Sequence, residues 1–288
     1  MNSNVSTEQL PNVTYSPSPR PSFDVPTHIT RAGVTRHIWG DDEAGLVADW
    51  IYASTERVHA LVFGLAPGAW FRHSPEFRTI FGADELLYVL RGTMVIANPE
   101  TGEVLRVPRG GTVFFRKDTW HHVHAHGNEE LRVLELYAPP PSTGSSGAYA
   151  RTKPYLEPAD WRYGDDSLLG GLPGAEPARR TLQEPAPVWR RSLGVLEGLC
   201  ASTEHLTAGL LELNPGEVSL THSHGGDEVV YVLEGALCVR AFGDDGTRVF
   251  ELGPDDAAYI PQGVAHEYRS YGAPGARALF GVAPAYLP

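Results

Sequence analysis

The stretch Thr221–Gly235 reads THSHGGDEVVYVLEG and places two histidines, a glycine pair and a glutamate directly before an apolar run. An earlier stretch, Arg78–Gly92, reads RTIFGADELLYVLRG and repeats its second half. In both, an acidic residue precedes a Glu, a Tyr follows three positions later and a Gly closes the run. Glu85 and Glu228 lie 143 positions apart, as do the two closing glycines. Self-similarity at a fixed offset indicates a duplicated structural unit.

Short apolar runs rich in Val, Leu, Tyr and Phe recur in both copies, separated by Gly, Pro and Asp. No stretch shows sustained helical periodicity. Many short strands with turn signals between them are typical of an all-β sandwich or barrel. We therefore expect a mobile N-terminal arm over residues 1–30, a first barrel over 31–150, a linker with wrapping loops over 151–190, and a second barrel over 191–288.

The composition of the chain argues against nucleic acid and membranes as partners. The chain has 288 residues, 42% of them apolar, and a formal net charge of −12, which argues against binding nucleic acid through a basic surface. No apolar run reaches the length of a membrane span, and the first residues lack the layout of a secretion signal. Cys200 and Cys238 both lie in apolar strand-like runs, so we expect buried, reduced thiols. These features predict a cytoplasmic protein.

The second copy carries the pattern of a metal site. Residues two apart on a strand face the same side, so His222 and His224 are expected to project together. The turn at Gly225–Gly226 would return Glu228 to the same point, and a Pro-x-Gly turn would bring His266 in from another strand. Three imidazoles and one carboxylate suit a divalent first-row transition metal. If that metal is six-coordinate, two positions stay open for substrate, water or oxygen.

These residues resemble the motifs of the cupin superfamily, Gly-x5-His-x-His-x3-Glu-x6-Gly followed by Gly-x5-Pro-x-Gly-x2-His-x3-Asn. Residues 216–235 match the first motif at every defined position. The second motif matches at its Pro, Gly and His, with Asp255 in place of the Gly and Ser270 in place of the Asn. The resemblance implies a double-stranded β-helix, or jelly-roll, barrel with the metal inside. Two copies in tandem imply a bicupin.

The first copy lacks part of this pattern. It keeps Glu85 and His121 but has Thr79 and Phe81 where the second copy has its histidine pair. His73, in the region where the first copy has about five extra residues, is a candidate third ligand that the motif does not place. We favour a degenerate barrel kept for packing, and the alternative is a second, altered metal or ligand site.

Function is open among three classes. We favour a metal-dependent dioxygenase acting on a small organic molecule, with iron as the first choice of metal and manganese, nickel or zinc as alternatives. Glu228 is a candidate proton acceptor as well as a ligand. Tyr268 shares strand parity with His266 and is a candidate substrate contact. The second class is a non-redox isomerase, cyclase or lyase. The third is a non-enzymatic binding module. Analogy with the family also suggests a homodimer, with no nucleic-acid or membrane partner.

Overall fold

The computed structural model describes residues 18–42, 44–72, 81–98, 101–117, 119–139 and 182–288, and every regular element in these ranges is a β-strand. Within them no helix is long and apolar enough to cross a membrane. In the first half the strands are β1 (Thr27–Ile29), β2 (Thr35–Asp41), β3 (Gly45–Ser54), β4 (His59–Leu65), β5 (Trp70–Phe71), β6 (Asp84–Arg91), β7 (Thr93–Asn98), β8 (Glu103–Pro108), β9 (Thr112–Phe115), β10 (His122–His126) and β11 (Leu131–Ala138). In the second half they are β12 (Val188–Ser192), β13 (Val195–Ser202), β14 (Thr207–Leu213), β15 (Asp227–Gly235), β16 (Leu237–Gly243), β17 (Gly246–Leu252), β18 (Ala257–Ile260), β19 (Ala265–Ser270) and β20 (Ala276–Ala283).

Each half folds into two facing antiparallel sheets. The first barrel has a large sheet in the order β2-β3-β4-β11-β6-β9 and a small sheet in the order β5-β10-β7-β8. The second barrel has a large sheet in the order β1-β18-β15-β20-β14-β13-β12 and a small sheet in the order β17-β16-β19. The predicted all-β fold with two jelly-roll barrels in tandem is confirmed.

Strand parity explains why the large-sheet strands read as nearly continuous apolar runs. On β11, Val133 packs into the core of the first barrel, whereas Leu134 and Leu136 belong to a separate apolar cluster shared by both halves. On β20, Phe280 likewise faces the core of the second barrel and Leu279 faces the shared cluster. The two large sheets therefore pack against each other through their outer faces, so both faces of these strands are buried.

The two large sheets are in close contact at Gly281 of β20. A Cβ atom added at Gly281 would lie 2.7 Å from Cδ1 of Leu136 in the first barrel. A side chain there would displace the side chain of Leu136. The apolar residues on the outer faces thus serve the junction between the barrels, a role that the sequence alone did not assign.

The N-terminal segment differs from the expectation of a mobile arm over 1–30. Residues 1–17 lie outside the described residues, but Thr27–Ile29 forms β1 and pairs antiparallel with β18, with His28 opposite Ala258. The first-half chain therefore completes the large sheet of the second barrel. The predicted linker, 151–190, also contains ordered structure at its end. Gln183 exchanges two backbone hydrogen bonds with Phe114 of the first barrel, and Val188 begins β12.

Asp255, which departs from the family motif at a glycine position, has a φ of 68°. This left-handed region favours glycine, and Asp is one of the few other residues that adopts it. Its side chain accepts hydrogen bonds from Tyr231 at 2.8 Å and from Arg31 at 2.6 Å, and its backbone carbonyl accepts one from Tyr52 at 2.6 Å. The departure keeps the turn and adds a side-chain contact to Arg31 of the first half, whereas the bond from Tyr52 uses the backbone carbonyl that a glycine would also supply.

Candidate metal centre

The four predicted ligands come from three places in the second barrel. His222 and His266 lie opposite each other in an isolated antiparallel bridge and exchange both backbone hydrogen bonds, at 2.9 and 2.8 Å. His224 follows two residues later and Glu228 lies in β15. We expected a regular strand to align His222 and His224, but only this bridge is present. The bridge itself brings the rings of His222 and His266 to a centroid distance of 4.1 Å.

The four side chains converge on one point. One ligand atom from each of His222, His224, Glu228 and His266 can be chosen so that all lie within 4.8 Å of one another. Oε2 of Glu228 is 2.9 Å from Nε2 of His266 and 3.5 Å from Nε2 of His224. Glu228 and His266 are almost completely buried, and neither Oε2 of Glu228 nor Nε2 of His266 makes a hydrogen bond of normal geometry. Buried polar atoms left in this state suit a cation placed between them.

The imidazole rings are oriented by the backbone. In each ring Nδ1 lies within hydrogen-bond distance of a carbonyl oxygen, so Nδ1–H donates and Nε2 carries the free lone pair. Metal-binding histidines are typically held in this way, because the second nitrogen fixes both tautomer and direction. The pairs are His222 with Leu220 at 2.8 Å, His224 with Tyr286 at 2.6 Å, and His266 with Val264 at 3.0 Å.

The charges of the cluster match a cation site. Burial alone would raise the pKa of Glu228, but His224 and His266 outweigh burial and hold this pKa at about 2. Burial, together with the neighbouring His266, lowers the pKa of His222 to about 4. Burial would lower the pKa of His266 as well, but the carboxylate of Glu228 raises it overall. The carboxylate is thus present as an anion and His222 as a neutral imidazole, which are the states that bind metal.

Tyr268 lies beside the cluster, where strand parity placed it. Its ring is 5.3 Å from that of His266 and 5.6 Å from that of His222, and the residue is 2% exposed. Burial and the charge of Glu228 raise the pKa of the Tyr268 phenol well above its usual value. The hydroxyl therefore keeps its proton and can donate a hydrogen bond. The void beside the cluster is only about 10 Å³, and its walls include Val195, Leu211 and Phe280.

A supporting group was missed at the sequence level. Glu197 is 2% exposed and accepts hydrogen bonds from the Tyr286 hydroxyl at 2.9 Å and from Arg190 at 2.8 and 3.0 Å. Tyr286 in turn supplies the carbonyl that receives Nδ1–H of His224. Glu197 thus positions a ligand through Tyr286. The sequence did offer a signal for this residue. An offset of 148 aligns the Pro-Gly turns of the two copies, and the same offset pairs Glu197 with Asp49, so that both copies have an acid at this position of an apolar strand.

The first barrel does not repeat the cluster. Glu85 and His121 are buried at 1% and 2% exposure, and His73 and Thr79 lie outside the described residues. Phe81 stacks on Tyr137 with a centroid distance of 5.7 Å and an interplanar angle of 5°. Across the described residues, the second-barrel cluster is the one group of three or more His, Cys, Asp or Glu side chains that could hold a metal ion.

Comparison with known families agrees with this architecture. The model of the cupin domain matches residues 65–137 and 209–281, one match in each barrel. The chain belongs to the cupin family and is a bicupin with one complete His/Glu group, in its C-terminal barrel. No curated protein matches the chain.

Solved structures share the whole two-barrel arrangement at low sequence identity. Oxalate decarboxylase from Lactobacillus farciminis matches with a TM-score of 0.59 and 17% identity, over 93% of this chain and 88% of that one. A mutant of Bacillus subtilis oxalate decarboxylase matches with a TM-score of 0.59 and 17% identity, over 94% and 80%. AerE from Microcystis aeruginosa matches with a TM-score of 0.59 and 9% identity, over 87% and 97%. At these identities the likeness concerns the fold.

Proposed function

We propose that this chain is a metal-dependent enzyme that holds one divalent first-row transition metal on His222, His224, Glu228 and His266 and acts on a small organic molecule. The observation that carries the proposal is the orientation of the three histidines. Each donates Nδ1–H to a backbone carbonyl, so the Nε2 atoms are free to meet the Glu228 carboxylate at one point. Imidazole and carboxylate ligands suit iron, manganese, nickel and zinc, and we favour iron.

A metal bound there would supply Lewis acidity and, in the case of iron, electron transfer. The residues around it supply binding and orientation. Tyr268 keeps its proton and lines the void, so it would donate a hydrogen bond to an oxygen of a bound substrate. Glu228, with its pKa held at about 2, is a ligand first and accepts a proton only if it moves away from its imidazole neighbours.

The walls of the site favour an oxygen-dependent reaction on a chelating substrate. Apart from the ligands, the polar lining consists of Tyr268, Tyr286 and Glu197, and no Lys or Arg of the described chain lines the void. Glu197 is paired with Arg190, so Glu228 is the carboxylate that acts against a divalent ion and leaves a net charge near +1. This charge attracts a singly charged chelator such as an enolate or a catecholate. A dicarboxylate substrate would bring a second negative charge, and no Lys or Arg of the described residues lines the void to balance it. The apolar remainder of the wall excludes water, which suits dioxygenase chemistry.

A non-redox lyase is the second candidate. It is supported by the likeness to oxalate decarboxylases, one of which, from Bacillus subtilis, is described with Mn(II) centres and shares 16% identity with this chain. Oxygen separates the two candidates, because a dioxygenase consumes it in proportion to product and a simple lyase turns over without it.

The test is turnover by protein loaded anaerobically with Fe(II), or separately with Mn(II), and given catechol, acetylacetone or cysteine with and without oxygen. We expect oxygen consumption with at least one substrate by the iron form. In the Tyr268→Phe variant we expect kcat to fall about tenfold or more while metal content is unchanged, because one donor to the reacting oxygen is lost. Turnover that persists without oxygen would favour the lyase. Metal-loaded protein with no turnover in either atmosphere would contradict the enzyme proposal and favour a binding module.

A further inference from the structure

The interior of the first barrel contains a cavity of about 60 Å³, although this barrel has no metal cluster among its described residues. Aromatic side chains form much of its wall, among them Trp39, Phe71 and Phe81. Two carboxylic acids, Asp49 and Glu135, also line it. A volume of this size holds several water molecules or a small organic group. A barrel retained for packing alone would be expected to fill this space with apolar side chains.

The acids in this interior outnumber the bases. Asp49 is 6% exposed, Glu135 is 9% exposed, and Glu85, on the strand beside Glu135, is 1% exposed. Burial and the neighbouring carboxylates raise the pKa of Asp49 and Glu85 well above their usual range, and burial raises that of Glu135 to about 7. No Lys or Arg of the described chain lines the cavity. Buried acids without a cationic partner are costly, which indicates a role other than stability.

His59 supplies a second and independent indication of a ligand. It is 5% exposed and lines the cavity. Its Nδ1 is 2.8 Å from Oγ of Ser54, and its ring stacks on Tyr137 with a centroid distance of 4.3 Å and an interplanar angle of 19°. These contacts fix the ring, yet its Nε2 is buried with no hydrogen-bond partner. Burial, with a smaller effect of Arg20, lowers the pKa of His59 to about 3, so the imidazole is neutral.

The second barrel shows that the fold does not need this imidazole. An offset of 148 pairs Ser54 with Ser202 and His59 with Thr207. The hydroxyls of Ser202 and Thr207 are 3.0 Å apart, so the same local contact is made by a short side chain that has no further polar atom to satisfy. Relative to Thr207, His59 adds one buried nitrogen that has no hydrogen-bond partner, and because His59 lines the cavity, a molecule bound there would be that partner.

We propose that the first barrel binds a small organic cation, a protonated amine with a short apolar body, between Asp49, Glu135 and Nε2 of His59. An ammonium group offers three N–H donors. Its positive charge favours ionisation of Asp49 and Glu135, so that two carboxylates and one neutral imidazole accept these three hydrogen bonds. The aromatic walls accept both the apolar body and the cation through their ring faces. An anion of the same shape would meet buried acids and, among the described residues that line the cavity, no Lys or Arg to balance its charge. A neutral alcohol would form hydrogen bonds without charge.

The test is isothermal titration calorimetry of the full-length chain with three probes of matched shape: n-butylammonium, butan-1-ol and butyrate. We expect n-butylammonium to bind at least about tenfold more tightly than butan-1-ol, because its hydrogen bonds are charge-assisted, and butyrate not to bind. Asp49→Asn and Glu135→Gln keep side-chain size and remove the acid that ionises against the ammonium group, and each should weaken amine binding about tenfold. His59→Thr copies the side chain of the other barrel and should weaken it as well. His222→Ala, in the second barrel, should leave it unchanged.

Thermal melting of every variant separates lost binding from lost folding, and the two isosteric variants together with His59→Thr give three independent chances of a folded protein. Equal binding of the alcohol and the amine would overturn the proposal. So would absence of amine binding to the wild type, or undiminished amine binding in folded Asp49→Asn and Glu135→Gln.

Discussion

Thr203 of the second barrel donates a hydrogen bond from Oγ1 to Oδ2 of Asp84 in the first barrel, at 2.7 Å. The same contact occurs in reverse, where Thr55 of the first barrel donates to Oδ2 of Asp227 in the second, at 3.0 Å. Asp84 and Asp227 are the acidic residues that precede the repeated glutamates. The junction of the barrels is therefore pseudo-symmetric, and it explains why both copies keep an acid at this position although only one keeps the histidines.

Substituting Asp84 should weaken this junction. Asp84 is 0% exposed and also accepts hydrogen bonds from Arg116 and from the backbone of Lys117. Asp84→Asn replaces one acceptor by a donor, so we expect the free energy of unfolding to fall by about 1.5–3 kcal/mol, the usual range for a hydrogen bond to a charged group. Urea denaturation measures it. The control is Asp245→Asn, an exposed residue paired with Arg248, which should leave stability almost unchanged. Equal effects of the two would contradict the assigned role of Asp84.

Metal binding should depend on the second barrel alone. We expect wild-type protein, purified without a histidine tag, to hold about one metal ion per chain and the double variant His222→Ala/His224→Ala to hold almost none, because two of four ligands are lost. Elemental analysis measures both. The matched control is His121→Ala in the first barrel, which should retain the metal. Equal metal content in the wild type and the double variant would show that the cluster is not the site.

Glu197 should act on the metal through Tyr286. Glu197→Gln removes the charge that Tyr286 and Arg190 share, and loosens the segment whose carbonyl orients His224. We expect metal affinity to fall about 10- to 100-fold, as is usual when a residue supporting a ligand is changed. Competition with a chelator measures the affinity. Glu217→Gln is the control, since this residue pairs with Arg191 at the surface. A retained affinity in Glu197→Gln would mean that Tyr286 is held by other contacts.

The sequence predicted what depends on short spacing and missed what depends on distant pairing. The duplication and the ligands His222, His224 and Glu228 follow from local pattern, because the spacing of the motif and its glycine turn span only a few residues. Glu197 and Tyr286 are 89 positions apart, and no local pattern signals that they meet. Strand parity alone also did not show which residues of β11 face the barrel interior and which face the junction between the barrels, because both faces of that strand are buried.

The polar interior of the first barrel was not predicted from the sequence, for a related reason. Its prediction as a degenerate copy compared only the positions of the metal motif. Asp49, His59 and Glu135 lie in apolar runs outside that motif and come together only when β3, β4 and β11 pair. Offsetting the whole chain by 148, and not the motif alone, would have paired Asp49 with Glu197 and His59 with Thr207.

Stability of the protein should fall as pH rises through the range in which Glu135 ionises. The folded protein holds a proton on Glu135 up to about pH 7, whereas the ordinary pKa of a Glu side chain is 4.5. Between these values the folded state binds more protons than the unfolded state, so the free energy of unfolding decreases with increasing pH. Glu135→Gln removes the titration. We expect the free energy of unfolding of the variant to exceed that of the wild type by on the order of 1–3 kcal/mol at pH 8, and to show no gain at pH 4.

Urea denaturation at pH 4, 5, 6, 7 and 8 measures the difference. Glu184→Gln, at an exposed position, is the control and should follow the wild type at every pH. A Glu135→Gln curve parallel to that of the wild type would show that the buried acids do not carry this energetic cost.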